Sequence, residues 1–165
     1  MESAKAIIET LHAKFSPGIL KVDHSSDMPV VTVESSIIHD LIRFLKEEPA
    51  MGFSFLTTLC SIHYPDDPLP LGVVYHFHNL EKNLRIRIRT FVPSEDPQLP
   101  TVTDLFSAAN WMEREAYDFY GIVFTGHPNL KRILNVEYLD YFPMRKEYPL
   151  EDPTREDKDD RYFGR

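Results

Sequence analysis

Cysteine occurs once in the 165 residues, at Cys60. One thiol excludes an internal disulfide framework. It also excludes an iron–sulfur cluster or a thiolate zinc site built by this chain alone. Glycine is scarce, with six residues against 13 prolines. The glycines fit neither GxGxxG nor GxxxxGKS/T, so both common phosphate-cradling loops are absent. No apolar run approaches the roughly 18 residues that a membrane-spanning helix needs. Met1-Glu2-Ser3-Ala4-Lys5 shows no basic region leading into a long apolar stretch, so no signal peptide is expected. Positive charge is in deficit: 18 Lys and Arg against 26 Asp and Glu give −8. That field repels nucleic acid and anionic lipid headgroups, so neither is an expected partner. The expectation is an acidic, soluble, intracellular chain of one main domain.

What is present is an ordinary globular share of apolar residues, 42%, with aromatics at 12%. Ile7, Ile8, Leu11 and Phe15 form one stripe of a helix over 3–15, ended by Ser16-Pro17-Gly18. Two β-rich runs follow at 19–22 and 30–33. Ser36 is placed to cap a helix over 37–47 with Ile37, Ile38, Leu41, Phe44 and Leu45 inward. Strands are expected over 53–63, 71–78 and 84–92, the last two joined as a hairpin through 79–83. A Pro-rich acidic loop covers 93–100. Leu105, Ala109, Met112, Ala116 and Phe119 recur at helical spacing, predicting a helix over 102–120. Thr101 and Asp104 resemble a capping box before it, and Gly121 is its stop. Helices flanking mostly antiparallel strands, without βαβ alternation, predict a two-layer α+β fold with a mixed sheet and an extended C-terminal tail. The expected division is a domain over 1–140 and a partner-binding tail over 141–165. Between Glu147 and Asp160 stand seven acids and two bases. Such a stretch cannot offset its ordering entropy alone and gains order by lying on something else.

Four constellations could carry chemistry. His76 and His78 share a strand face, either as zinc ligands or as part of a polar sheet surface. No third ligand stands at a telling spacing. Arg85, Arg87 and Arg89 also share one face, as a solvated row or as a docking surface for acidic groups. On the long helix, Trp111, Arg114 and Asp118 fall away from the apolar stripe, with Glu113 and Glu115 on opposite flanks. Arg114 and Asp118 are spaced as an i,i+4 pair. An indole beside them suggests either a charged helix back or a second packed face. Glu113 and Glu115 point too far apart to share a proton, and neither a pocket nor a substrate anchor accompanies Glu115 and Asp118. Finally, the run from Tyr141 to Leu150 mixes aromatics, prolines, Met and bases, the composition of an interface core.

The string Glu113-Arg114-Glu115-Ala116-Tyr117-Asp118-Phe119-Tyr120-Gly121-Ile122, followed by His127 and by Lys131-Arg132-Ile133-Leu134, resembles the signature of the 30-kDa subunit family of respiratory complex I, in bacteria the C subunit of NADH-quinone oxidoreductase. Arg145-Lys146-Glu147-Tyr148-Pro149-Leu150 is similar to that family's closing run, as is Ala108-Ala109-Asn110-Trp111 upstream. The family often carries Gly-His-Pro-Leu where this chain has Tyr141-Phe142-Pro143-Met144. The resemblance implies a non-catalytic subunit of the peripheral arm that binds no cofactor itself. NADH, FMN, iron–sulfur clusters and quinone belong to other subunits. It implies contact with the D (49-kDa) subunit and with neighbours such as B and I, only indirect contact with the membrane, and a place on the cytoplasmic face of the bacterial inner membrane. Related subunits of NDH-type complexes and of energy-converting hydrogenases carry a similar motif. The residues expected to hold the assembly are Trp111, Glu113, Arg114, Glu115, Asp118, His127, Lys131, Arg132, Arg145, Lys146, Tyr148 and Pro149. Catalytic, cofactor-binding and metal-binding residues are expected to be none. The rival from another class is a metallohydrolase using His76, His78 and a carboxylate.

Overall fold

The computed structural model describes residues 2–23, 28–149 and 154. Helix α1 spans Glu2–Phe15 and leads into strand β1, Ile19–Asp23, which turns back as β2, Val30–Val33. A 3-10 turn over Ser35–Ile37 opens helix α2, Ile38–Glu47. Strands β3 (Phe55–His63), β4 (Leu71–Asn79) and β5 (Leu84–Val92) follow as an antiparallel meander. The five-stranded sheet has the order β1-β2-β5-β4-β3, with β2 parallel to β5 and every other pair antiparallel. The fold is α+β with a mixed sheet.

Alternation divides the sheet into two faces. Leu71, Val73, Tyr75 and Phe77 of β4 share one with Ile86, Ile88 and Val92 of β5, all buried. They join a single core with Ile7, Ile8 and Leu11 of α1 and Ile38, Leu41, Ile42 and Leu45 of α2. Ile42 joins that stripe in addition to the residues that helical spacing puts inward, and Phe44 packs half-buried against the core, meeting Phe15 edge-on at 5.6 Å. Ser36 does not cap α2. Its hydroxyl donates to Glu34 Oε2 at 3.3 Å, because the 3-10 turn moves the helix start to Ile38.

Helix α3 spans Ala109–Tyr120, seven residues shorter at its start than the periodicity predicts. Leu105 and Phe106 are buried with helical spacing, but residues 102–108 turn instead. The reason lies in Glu113, whose carboxylate accepts the Val102 N–H and the Thr101 hydroxyl and pulls that stretch across the helix. Asp104, expected in the capping box, reaches back to His39 Nε2 of α2 at 3.0 Å. The Pro-rich loop also holds a strand that the sequence pattern does not predict: β6, Gln98–Pro100, pairs in parallel with β7, Val123–Thr125. Its pairing buries Leu99 and Phe124. Helix α3 lies along β3, the edge strand, where the Leu59 N–H donates to Met112 Sδ at 3.2 Å. An edge with unpaired backbone donors is thereby covered.

Candidate functional site: the corner of helix α3

The last four carbonyls of a helix have no partner within it. In α3 all four are satisfied. Tyr117 O accepts from Gly121 N at 2.8 Å. Asp118 O accepts from Arg132 Nη1 at 2.8 Å. Phe119 O accepts from Met144 N at 3.2 Å, and Tyr120 O from Arg145 Nε at 2.8 Å. The returning chain thus places two guanidinium groups at the negative end of the helix dipole. Both lie against the Phe142 ring, with Arg132 at 5.0 Å and Arg145 at 4.8 Å from its centroid. Gly121 makes this close approach possible. Its φ is +75°, and a Cβ there would stand 2.5 Å from the Phe142 ring.

Asp118 organises the corner. It is fully buried, yet its carboxylate accepts hydrogen bonds from Arg132 Nη1, from the N–H groups of Ile133, Leu134 and Asn135, and from Asn135 Nδ2. Burial alone would raise its pKa. The N–H groups of Leu134, Asn135 and Ile133 and the Asn135 amide outweigh burial and hold the carboxyl far below the usual range. Arg132 spends its remaining Nη2 on the carbonyls of Leu139 and Tyr141 at 2.9 and 3.2 Å. The i,i+4 pair expected between Arg114 and Asp118 is therefore not formed: Asp118 faces Arg132. Arg114 donates instead to the carbonyls of Lys131 and Arg132 at 3.0 and 3.3 Å, and its guanidinium stacks on Trp111 at 4.7 Å. The polar side of α3 is a second packed face.

Glu113 sits on the opposite flank, fully buried, bonded to Thr101 Oγ1 at 2.6 Å and Val102 N at 2.8 Å. Burial pushes its pKa up to about 7 against the lowering effect of those two hydrogen bonds, and the charge of Asp104 adds to the rise. His127 Nδ1 accepts the Asn129 N–H at 3.0 Å, so Nε2 carries the proton and donates to Asn110 O at 3.1 Å. This ties the turn after β7 to the start of α3.

The segment after Tyr141 lies on the same corner. Lys146 N donates to His63 Nδ1 at 2.9 Å, and Glu147 approaches the same nitrogen at 3.5 Å. Lys146 Nζ sits 5.4 Å from the Tyr64 ring, and Tyr148 packs on Tyr141 at 4.9 Å. Sequence reasoning singles out neither His63 nor Phe142. Phe142 offers one signal, an aromatic between two prospective cation positions, whereas His63 offers none. The motif residues left facing solvent are Trp111, Glu115, Lys131, Lys146, Tyr148 and Pro149. Trp111 is 63% exposed, and the adjoining chain adds Leu134, Val136 and Tyr138, the last 87% exposed. Leu150, and the remaining tail apart from Thr154, lie outside the described residues.

The histidine pair is occupied locally. His76 Nε2 accepts from Arg87 Nε at 2.5 Å, and His78 Nε2 meets Asn83 Oδ1 at 3.1 Å. Among the described residues no group of three or more His, Cys, Asp or Glu could hold a metal ion. Nor is any helix among them long and apolar enough to cross a membrane.

The profile of the respiratory-chain NADH dehydrogenase 30 Kd subunit family matches residues 31–154. The second C-type subunit of NADH-quinone oxidoreductase from Rhizobium etli (strain CIAT 652) is 41% identical over 138 residues, 83% of this chain and 73% of that one. The chain spans 59–73% of the length of the first curated relatives that it matches, all from Rhizobium. The solved trypsin-resistant fragment of Nqo5 is 36% identical, with a TM-score of 0.67, covering 78% of this chain and 99% of the fragment. The structure of the membrane-bound sulfane sulfur reductase, an archaeal respiratory membrane complex, contains a chain with a TM-score of 0.71 over 88% of this chain and 85% of its own. At 22% identity that likeness shows the fold alone. Motif, fold and relatives agree: the chain belongs to the family of the respiratory-chain NADH dehydrogenase 30 Kd subunit.

Proposed function

We propose that this chain is a cofactor-free docking subunit of the peripheral arm of a proton-translocating NADH:quinone oxidoreductase. In this reading NADH, FMN, iron–sulfur clusters and quinone are bound by other subunits. The chain supplies a shaped surface to the D (49-kDa) subunit and to neighbours B and I on the cytoplasmic face of the bacterial inner membrane. One observation carries the proposal. The motif's buried charges, Glu113, Asp118 and Arg132, are committed to internal hydrogen bonds, while Trp111 and Tyr138 stand exposed beside them. A carboxylate that accepts five hydrogen bonds is a structural fixture, whereas aromatic groups flanked by Arg are typical interface anchors. Residues 1–140 form the domain in this reading, and 141–165 are the partner-binding tail, held at its root by Arg145 on the end of α3. Lys131, Tyr148 and Pro149 belong to the docking surface, as does Glu115.

A second reading, the equivalent subunit of an NDH-type or hydrogenase-type membrane complex, draws on the fold shared with the sulfane sulfur reductase. One experiment tests both. The chain is tagged in its native host and pulled down from membranes in mild detergent, and its partners are identified by mass spectrometry. Co-purification of the NADH-oxidising module and the quinone-site subunits is the expected result. Hydrogenase-type partners would replace the first reading with the second, and a chain recovered alone would contradict both.

A further inference from the structure

The arginine row of β5 takes no part in the network around α3. Register places Arg87 and Arg89 on the sheet face opposite the core, Arg87 between His76 of β4 and Val30 of β2, and Arg89 between Val74 and Thr32. Val30, Thr32 and Val74 are buried on that face, as long arginine stems laid across neighbouring strands would bury them. The two guanidinium groups differ. Arg87 Nε is satisfied by His76 Nε2. Arg89 Nε is buried and has no hydrogen-bond partner among the described residues. A buried donor on a charged group is costly until an acceptor reaches it. Arg87 and Arg89 also stand about 7 Å apart along one strand, where like charges repel. In a chain of net charge −8, Lys21, Arg85, Arg87 and Arg89 outnumber Asp23 on this face of the sheet. Carboxylates relieve both costs, because they accept paired hydrogen bonds from guanidinium groups. The patch adjoins the α3 surface: Cys60 lies on the same face opposite Val74, and its thiol feels the charges of both Arg87 and Glu115.

We propose that this sheet face receives an acidic polypeptide segment of a partner subunit, with carboxylates reaching Arg87 and Arg89. The inference rests on the docking role proposed above and gives the partner's chemistry. Nucleic acid is a poorer match, since the field of the whole chain opposes a polyanion. A short acidic segment meets only the local patch.

The test uses the assembled complex in native membranes with Arg87→Glu/Arg89→Glu, Arg87→Gln/Arg89→Gln or Arg87→Lys/Arg89→Lys, and with Trp111→Ala as a separate arm. The chain retained on membranes is measured after washes at low and high salt. Wild-type retention should fall with salt. The Glu and Gln pairs should lose at least about tenfold at low salt, and the Lys pair much less. If the Glu pair misfolds, the Gln pair carries the result. A hexaglutamate peptide should bind the purified wild-type chain and not the Gln pair. Unchanged retention in the Gln pair would overturn the proposal. So would inorganic phosphate displacing hexaglutamate at equal charge concentration, which would mark a small-anion site. Deleting residues 150–165 and thereby abolishing the arginine effect would assign the face to this chain's own acidic stretch and also overturn it. Loss of retention in Trp111→Ala with no arginine effect would sink the arginine face alone and leave the docking role standing.

Discussion

The helix–sheet core and the α3 corner are both buried, but they are held together by different physics. The core around Leu41, Tyr75, Ile86 and Ile88 is apolar, and its burial is set by patterns that repeat every two or 3.6 residues. The corner is held by Asp118, Arg132, Arg145 and Glu113, and the bonds that tie them to helix α3 or across it, Val102 to Glu113, Arg132 to Asp118 and Arg145 to Tyr120 O, span 11, 14 and 25 residues of chain. Apolar burial is tolerant and additive in small increments. A buried charge network fails as a unit when one member is removed.

Removing Asp118 should have the largest effect. Asp118→Ala strands Arg132 and three backbone N–H groups, at a cost of about 3–5 kcal/mol. Hydrogen exchange should show loss of protection at 133–145 before the sheet responds. If the sheet and the corner lose protection together, the two regions are one cooperative unit. Leu41→Ala, a core cavity, should cost about 2–5 kcal/mol in urea unfolding, with protection lost uniformly.

Glu113 offers a pH lever on the corner. Its folded pKa, about 7, lies above the ordinary 4.5, so the folded chain holds this proton more tightly than the unfolded chain. The stabilisation is fully present below about 4.5 and is lost as pH rises through about 7. The slope over that window is worth about 3 kcal/mol at most. Asp118 titrates far below this window and does not mask it. Chemical unfolding at pH 5 and pH 8 should show the decline in wild type and a flatter profile in Glu113→Gln.

Gly121→Ala should cost about 1–3 kcal/mol through its positive φ and the Phe142 ring. Adding Phe142→Ala should recover the steric part and leave the backbone part, as a double-mutant cycle in melting temperature would report. Trp111→Ala should change chain stability by less than about 0.5 kcal/mol because the ring is exposed, while still reducing assembly.

Legibility follows the same division. Helices α1 and α2 and the strands of the meander agree with their apolar periodicity to within a few residues at the ends. Periodicity overextends helix α3 because Leu105 and Phe106 keep helical spacing inside a turn, which tertiary bonds from Thr101 and Val102 to Glu113 and from Asp104 to His39 hold out of the helix. Strand β6 has three residues, one of them a proline, too short for any period to register, and it exists through its pairing with β7. At the site, the residue types are legible and their partners are not. Spacing along α3 offers Asp118 a neighbour in Arg114, whereas the fold brings Arg132 from beyond β7. Local spacing carries no information about that choice.

In the proposed role the chain contributes surface and leaves the chemistry to its neighbours. The most direct test of that role is Arg114→Ala, which frees the carbonyls of Lys131 and Arg132 and unstacks Trp111. Native gels of solubilised membranes give the amount of assembled complex, and NADH:quinone turnover is then divided by that amount. A docking role predicts less complex with near-normal turnover per complex. Full assembly with quinone reduction abolished would contradict it.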